Sequence, residues 1–416
     1  MCKLSKSLTF ILSLLFLSIA TITFAQTNAK TNVEALDAAF QLEKGDRVLF
    51  VGNSLFENDV QFGYLELALT TRWPNRAITY RNIGWSGDNV YGEARSYVTT
   101  PPTPYELLIR QITEAKPTVV FVGYGGIEAQ EGEEGLARFK QGYASLLDKI
   151  DQLGAKAVLV SPIPVLLPAS DNTTKRNAAL EMYAAAIEQI AKERKKRYLD
   201  VFKPMLEISK QAVITENGVH LNGTGYYYLA TALEKSLGLP PRNGSIAIDV
   251  ANNAVESTVA TKLHQFDKST MSLSFTVNET CLPLPAPQED GKAIAVDNGR
   301  KLSIKGLKKG FYTLSTADDV IVTASAKEWE EGVTIKQGPT YYQAEELRKT
   351  ILKKEELFFF QYRPLNQTYI IGFRSYEQGR HKKGLEEQNY LITWLEAQIE
   401  TANQPKPVTY QLTLLK

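Results

Sequence analysis

Between about residues 45 and 240, short β-branched runs alternate with longer stretches of helical periodicity, and few architectures accommodate that alternation. Arg47–Val51, Ala77–Arg81, Thr118–Val122, Lys156–Ser161 and Tyr198–Phe202 read as five strands, several too apolar to be half-exposed. Helical patterns fall between them at Val60–Arg72, Tyr105–Ala115, Gly135–Leu153 and Lys175–Arg194, with a last one at Tyr226–Leu237. Strands that need both faces covered, each followed by a helix long enough to cross back, predict an α/β fold: one parallel sheet between helices.

Past Leu239-Pro240-Pro241 the pattern changes to alternating runs broken by Gly, Asn and Asp turns, at Ile246–Val250, Ser272–Val277, Lys301–Ile304 and Val320–Ala324. These predict an antiparallel β module. Helical patterns at Tyr341–Lys354 and Asn389–Thr401 flank an aromatic segment from Phe358 to Phe373, and Val408–Leu415 alternates as a closing strand. The expected organisation is a leader over 1–25, an α/β domain over 41–240 and a β-rich and helical accessory region over 241–416.

The leader is read from Lys3 and Lys6 ahead of the apolar run Leu8–Phe24, with small residues at the cleavage position Ala25. Its removal would take the net charge from +1 to −1 and leave Cys281 as the one cysteine. A single thiol in an exported chain excludes an internal disulfide framework and a cysteine-rich zinc site. Lys plus Arg is 47 against 46 for Asp plus Glu, so no basic excess points to nucleic acid or an anionic membrane surface. No later segment reaches the ~20 apolar residues of a membrane span. The expected location is the periplasm or the extracellular space.

In open parallel sheets ligands collect at the carboxyl ends of the strands, so the turns there carry the chemistry. The first strand ends in Val51-Gly52-Asn53-Ser54, the second is followed by Gly84-Trp85-Ser86-Gly87-Asp88, and the third by Gly123-Tyr124-Gly125-Gly126-Ile127-Glu128. Glu216-Asn217-Gly218-Val219-His220 precedes the last helix of the region. The other histidines of the chain are His264 and His381, so His220 is the one base the α/β region offers a serine nucleophile. No His/Asp/Glu cluster has metal-ligand spacing, and no cofactor motif is present.

In order and spacing these blocks resemble the SGNH (GDSL-type) hydrolase family, over residues 45 to 240. The resemblance implies a flavodoxin-like five-stranded sheet, Ser54 as nucleophile, Gly87 as a backbone oxyanion donor and His220 as general base. It aligns Gly125-Gly126-Ile127-Glu128 with a Gly-x-Asn-Asp block, setting Ile127 where the family has an amide donor. It sets Asn217 at the family's Asp, with Glu216 adjacent as a substitute carboxylate. Asn53, Gly126 and Ile127 are then expected at the oxyanion and substrate wall, with Trp85 and Tyr124 as aromatics able to stack on a sugar ring. Gly52-Asn53-Ser54, Arg81–Asp88 and Tyr362–Gly379 are similar to a secreted branch of planctomycetes and their relatives with a Gly-Asn-Ser first block.

Two functions follow. The first is a secreted serine esterase acting on acyl or acetyl esters of carbohydrate, a glycan or small-molecule substrate being its partner. The second is a weakened or inactive protein on the same fold that binds glycan or an envelope partner. In the segment Tyr362–Gly379, Arg363, Asn366, Arg374 and Glu377 lie among aromatics, either pinning it to the α/β domain or walling the cleft.

Overall fold

A computed structural model describes residues 39–95, 102–242, 244–289, 292–293, 299–363 and 382–415. The leader, including Cys2, Lys3 and Lys6, lies outside them, as do His381 and the polar segment after Arg363. From Ala39 onward the chain is one compact unit.

Five parallel strands, β1 Arg47–Gly52, β2 Thr79–Asn82, β3 Val119–Gly123, β4 Lys156–Val160 and β5 Arg197–Leu199, stand in the order β2-β1-β3-β4-β5. This is the five-stranded parallel sheet between helices expected from the sequence. Alternate residues of β1 face opposite cores. Val48 and Phe50 join the helices Tyr64–Arg72 and Gly223–Ser236. Leu49 and Val51 join Pro104–Ala115, Leu136–Gln152 and Asp171–Arg194. The second strand starts at Thr79 rather than Ala77, and the first long helix at Tyr64 rather than Val60. The residues before that helix form a 3-10 turn, Asn58–Gln61. The Asp59 carboxylate then caps it, accepting from the N–H groups of Tyr64 at 3.0 Å and Leu65 at 3.1 Å.

The order of the strands reverses between β1 and β3, which run from one side of the reversal to the other. Crevices for ligands open at this point in doubly wound sheets. Asn53 and Ser54 leave β1 there, and the Gly125–Ile127 turn leaves β3 there.

The C-terminal region forms two larger sheets around a core of its own, beside a two-stranded pairing of β10 Gln288–Glu289 with β11 Lys292–Ala293. One has the order β15-β12-β6-β7, from Val333–Ile335, Arg300–Lys305, Ser245–Asp249 and Ala254–Ser257. The other is antiparallel with the order β14-β13-β16-β9-β8, from Val320–Ser325, Phe311–Ser315, Val408–Leu414, Ser272–Asn278 and Ala260–Asp267. The expected antiparallel module has one exception, since β6 and β12 pair in parallel. About fifty residues separate them, which is ample for the crossover a parallel pair requires.

The helix expected at Tyr341–Lys354 runs from Pro339 to Tyr362 and absorbs the start of the aromatic segment. It lies along the edge strand β2, sending Ala344, Leu347 and Ile351 into one α/β core and Phe358 into the other. An uncovered edge strand invites pairing with other chains, and this helix covers it. Lys354, 1% exposed at the side chain, donates to the carbonyl of Tyr80 at 3.2 Å and pairs with Glu66 and Glu355. Among the described residues no helix is long and apolar enough to cross a membrane.

Candidate active site

Gly52 is required by a close approach: a Cβ there would stand 2.4 Å from the carbonyl oxygen of Gly123, because the ends of β1 and β3 meet. Asn53 then caps the short helix Ser54–Glu57, its Oδ1 accepting from the Leu55 N–H at 3.1 Å. Ser54 is half-buried in its first position. Glu57 at the far end ties this helix to the second turn, accepting from the Ser86 N–H at 2.5 Å and from Arg363. Tyr226 Oη donates to the carbonyl of Leu55 at 3.0 Å. The Ser54 turn is thus fastened on several sides.

The third turn is fastened by Glu128, whose carboxylate accepts from Gly125 N–H at 2.8 Å and Val90 N–H at 3.0 Å. Burial pushes its pKa up to about 7, against the lowering effect of those backbone donors. Burial likewise pushes Asp59 up to about 7.

His220 lies in an exposed turn closed by a bridge between Thr215 and Leu221. Asn217 shapes that turn: its Oδ1 accepts from the N–H groups of His220 at 2.9 Å and Val219 at 3.1 Å. With Oδ1 so occupied, Nδ2 is the atom that faces His220 Nδ1, at 3.3 Å. An amide nitrogen only donates, so Nδ1 must accept and the proton of the neutral ring sits on Nε2. That tautomer offers a donor, not a base, on the side away from Asn217. Glu216 bonds to His220 through backbone only, donating its N–H to the His220 carbonyl at 2.9 Å.

One cleft gathers Asn53, Ser54, Gly126, Ile127 and His220. Its remaining wall is apolar at Ile163, Val165 and Leu180, and polar at Asn58, Gln130 and Arg176. Ser54 and His220 share this cleft without a direct hydrogen bond among the described residues, a common state for a site without substrate. Ile127 lines it as an apolar wall. Gly87 is exposed, with φ 80°, and is not among the lining residues.

Two expectations need correction. Tyr124 is fully buried, its hydroxyl donating to Asp88 at 2.9 Å, and Asp88 is paired in turn with the buried Arg95 at 2.8 Å. Trp85 is 5% exposed and covered by the Arg363 guanidinium, 4.1 Å from its ring centre. Neither presents a face to the cleft. The polar strut beneath them, Asp88–Arg95–Tyr124 with Gln111, was not singled out from the sequence; Asp88 and Arg95 seven positions apart were its only signal.

Tyr362 Oη donates to the Gly84 carbonyl at 2.7 Å, and Gln111 donates to the Tyr362 carbonyl at 3.1 Å. The described end of the Tyr362–Gly379 segment is therefore pinned to the α/β part; Asn366, Arg374 and Glu377 lie outside the described residues. Trp73 is the C-cap of Tyr64–Arg72 and is buried. His264 bonds to Thr276 Oγ1 at 2.7 Å on the β module.

Residues 50–228 match the GDSL-like Lipase/Acylhydrolase family. Among solved structures, a gut microbial diltiazem-metabolizing enzyme is similar with a TM-score of 0.69 at 18% identity, covering 91% of this chain and 100% of its own. That likeness of fold takes in the C-terminal region as well as the sheet. An acetylxylan esterase from Geobacillus stearothermophilus is similar with a TM-score of 0.39 at 20% identity, covering 48% of this chain and 98% of its own. No curated protein matches the sequence. Residues 50–228, which carry the sheet and the Ser54 turn, are thus similar to the GDSL-like lipases and acylhydrolases.

Proposed function

We propose that the protein is an exported serine ester hydrolase that works slowly because of its own histidine partner, and that it takes acyl or acetyl esters of small polar alcohols, carbohydrates included. The observation that carries this is the meeting of Ser54 and His220 in one cleft at the reversal point of the sheet. The family match over the same residues supports it. Ser54 Oγ attacks the ester carbonyl while His220 Nε2 takes its proton; His220 then returns the proton to the departing alcohol, and water releases the acid by the same route.

Nε2 can accept only while the ring carries its proton on Nδ1, and Asn217 favours the other arrangement. An Asp at this position would accept from Nδ1–H and free Nε2. In the serine-protease example, the reverse exchange costs about ten-thousandfold in turnover. With Trp85 and Tyr124 buried, a carbohydrate substrate is supported by Asn58, Gln130 and Arg176, which can bond to hydroxyls, rather than by stacking. The apolar wall suits a short acyl chain. Export rests on the leader, and membership of the secreted Gly-Asn-Ser branch on the motifs quoted for it.

The test is hydrolysis of a chromogenic acetate and a panel of acetylated glycans by the mature chain. Slow release by the wild type and none by Ser54→Ala is expected. Equal rates from both would end the proposal.

A further inference from the structure

We propose that the side-chain amide of Asn53 is an oxyanion donor, stabilising the charge that forms on the carbonyl oxygen when Ser54 attacks. This rests on the reading of Ser54 above and adds to it the group that answers the developing charge.

The orientation of the amide is fixed. Oδ1 is committed to the Leu55 N–H, so Nδ2 points the other way, into the cleft. Among the described residues Nδ2 has no hydrogen-bond partner, although Asn53 is only 7% exposed. Nδ2 is not one of the polar atoms sealed from solvent without a partner, so it is open to a ligand from the cleft that Asn53 lines. Capping does not explain the amide either. Asp and Ser cap a helix as well as Asn, so the N–H groups are the one thing Asn adds at this position.

The space in front of the amide is kept open by a glycine. A Cβ on Gly126 would stand 3.3 Å from Asn53 Nδ2 and 3.9 Å from Pro162 Cβ, the tighter contact being with the amide. Gly126, Ile127 and Ser54 border this same space. Ile127 supplies no donor there; of the three side-chain amides of the cleft, Asn53, Asn58 and Gln130, Asn53 is the one adjacent in the chain to Ser54 and in contact range of Gly126.

The electron balance is that of acyl transfer. The Oγ–C bond forms as the carbonyl π pair moves onto oxygen, where Asn53 N–H meets it; the serine proton passes to His220. Collapse restores the carbonyl and expels the alcohol with that proton. A donor used only in this tetrahedral state lowers the barrier without tightening substrate binding.

Asn53→Asp preserves shape and cap but removes the N–H donor, and Asn53→Ser keeps a capping oxygen, adds no charge and takes the amide away. For both, kcat on the chromogenic acetate should fall about a hundred- to a thousandfold with KM little changed, at unaltered Tm. Phosphonylation of Ser54 by a fluorophosphonate should slow in parallel. Adding Ile127→Asn to Asn53→Ser, which returns an amide from the facing turn, should recover part of the loss. If Asn53→Ser keeps the wild-type kcat and labelling rate while Ser54→Ala is silent, this inference fails and the Ser54 reading stands. If the wild type neither turns over the acetate nor takes the phosphonate at Ser54, both fail together.

Discussion

The nucleophile turn and the histidine turn are built on opposite plans. Ser54 stands on a helix capped by Asn53, tied through Glu57 to the second turn and to Arg363, and held from behind by Tyr226. Its neighbours Leu55, Phe56 and Glu57 are all buried. His220 is exposed, in a turn whose shape comes largely from the three hydrogen bonds of one side chain, Asn217. Side chains from several elements fix position on one side of the cleft, whereas on the other it is fixed by Asn217 and the turn's own backbone bonds, Glu216 N–H to the His220 carbonyl among them. Cutting one of the ties behind Ser54 should therefore register as lost stability as well as lost chemistry, whereas a change that keeps the Asn53 cap, or one that retunes the histidine turn, leaves the fold intact.

The largest expected effect is Ser54→Ala, which should take ester hydrolysis to background; in a reference serine protease the loss is about a millionfold. Next is Lys354→Met, aimed at the support behind the nucleophile side. It would leave Glu66 and Glu355 buried together with no cation, and loss of one partner from a buried ion cluster costs about 3–5 kcal/mol. Chemical denaturation should show it as a lower midpoint, and a midpoint unchanged would mean that the long helix is not a support.

Asn217→Asp comes third and has the opposite sign. One carboxylate oxygen can keep the two backbone donors while the other takes Nδ1–H, so kcat should rise, by about a hundredfold and by at most ~10⁴. Its Tm should stay where it is, which sharpens the contrast with Lys354→Met.

The remaining effect is one of pH. Asp59 and Glu128, both on the nucleophile side, are pushed by burial to about 7. The native state therefore holds protons that the unfolded chain has already released above pH ~4. This contribution to stability is complete below about pH 4, is lost as pH rises toward 7, and is flat beyond. Urea midpoints should accordingly fall between pH 5 and pH 8, and Asp59→Asn with Glu128→Gln should flatten that slope whatever it does to the level.

The sheet was legible because buried parallel strands declare themselves as unbroken apolar runs: Arg47–Gly52, Val119–Gly123 and Lys156–Val160 begin and end within a residue or so of expectation. Order along the chain also brought Ser54 and His220 forward before their cleft was visible. Side-chain direction in the turns was not legible. Tyr124 follows a fully buried strand, and only the partner of its hydroxyl, Asp88, says that it turns inward. The same holds for Asn53, whose place before Ser54 says neither that it caps a helix nor where its second amide atom points. The parallel pairing of β6 with β12 depends on strands far apart in sequence, and alternation within each strand carries no sign of it.

The covering of the sheet by its C-terminal region also sets an order of events during synthesis. One face of the α/β core draws on Phe40, Leu282, Leu347 and Ile399, and the last strand, Val408–Leu414, sits in the middle of its sheet. Neither core can close until nearly the whole chain has left the ribosome, and contacts spanning such separations are slow to form. For most of its making this chain is a nascent polypeptide with an apolar sheet face in need of shielding.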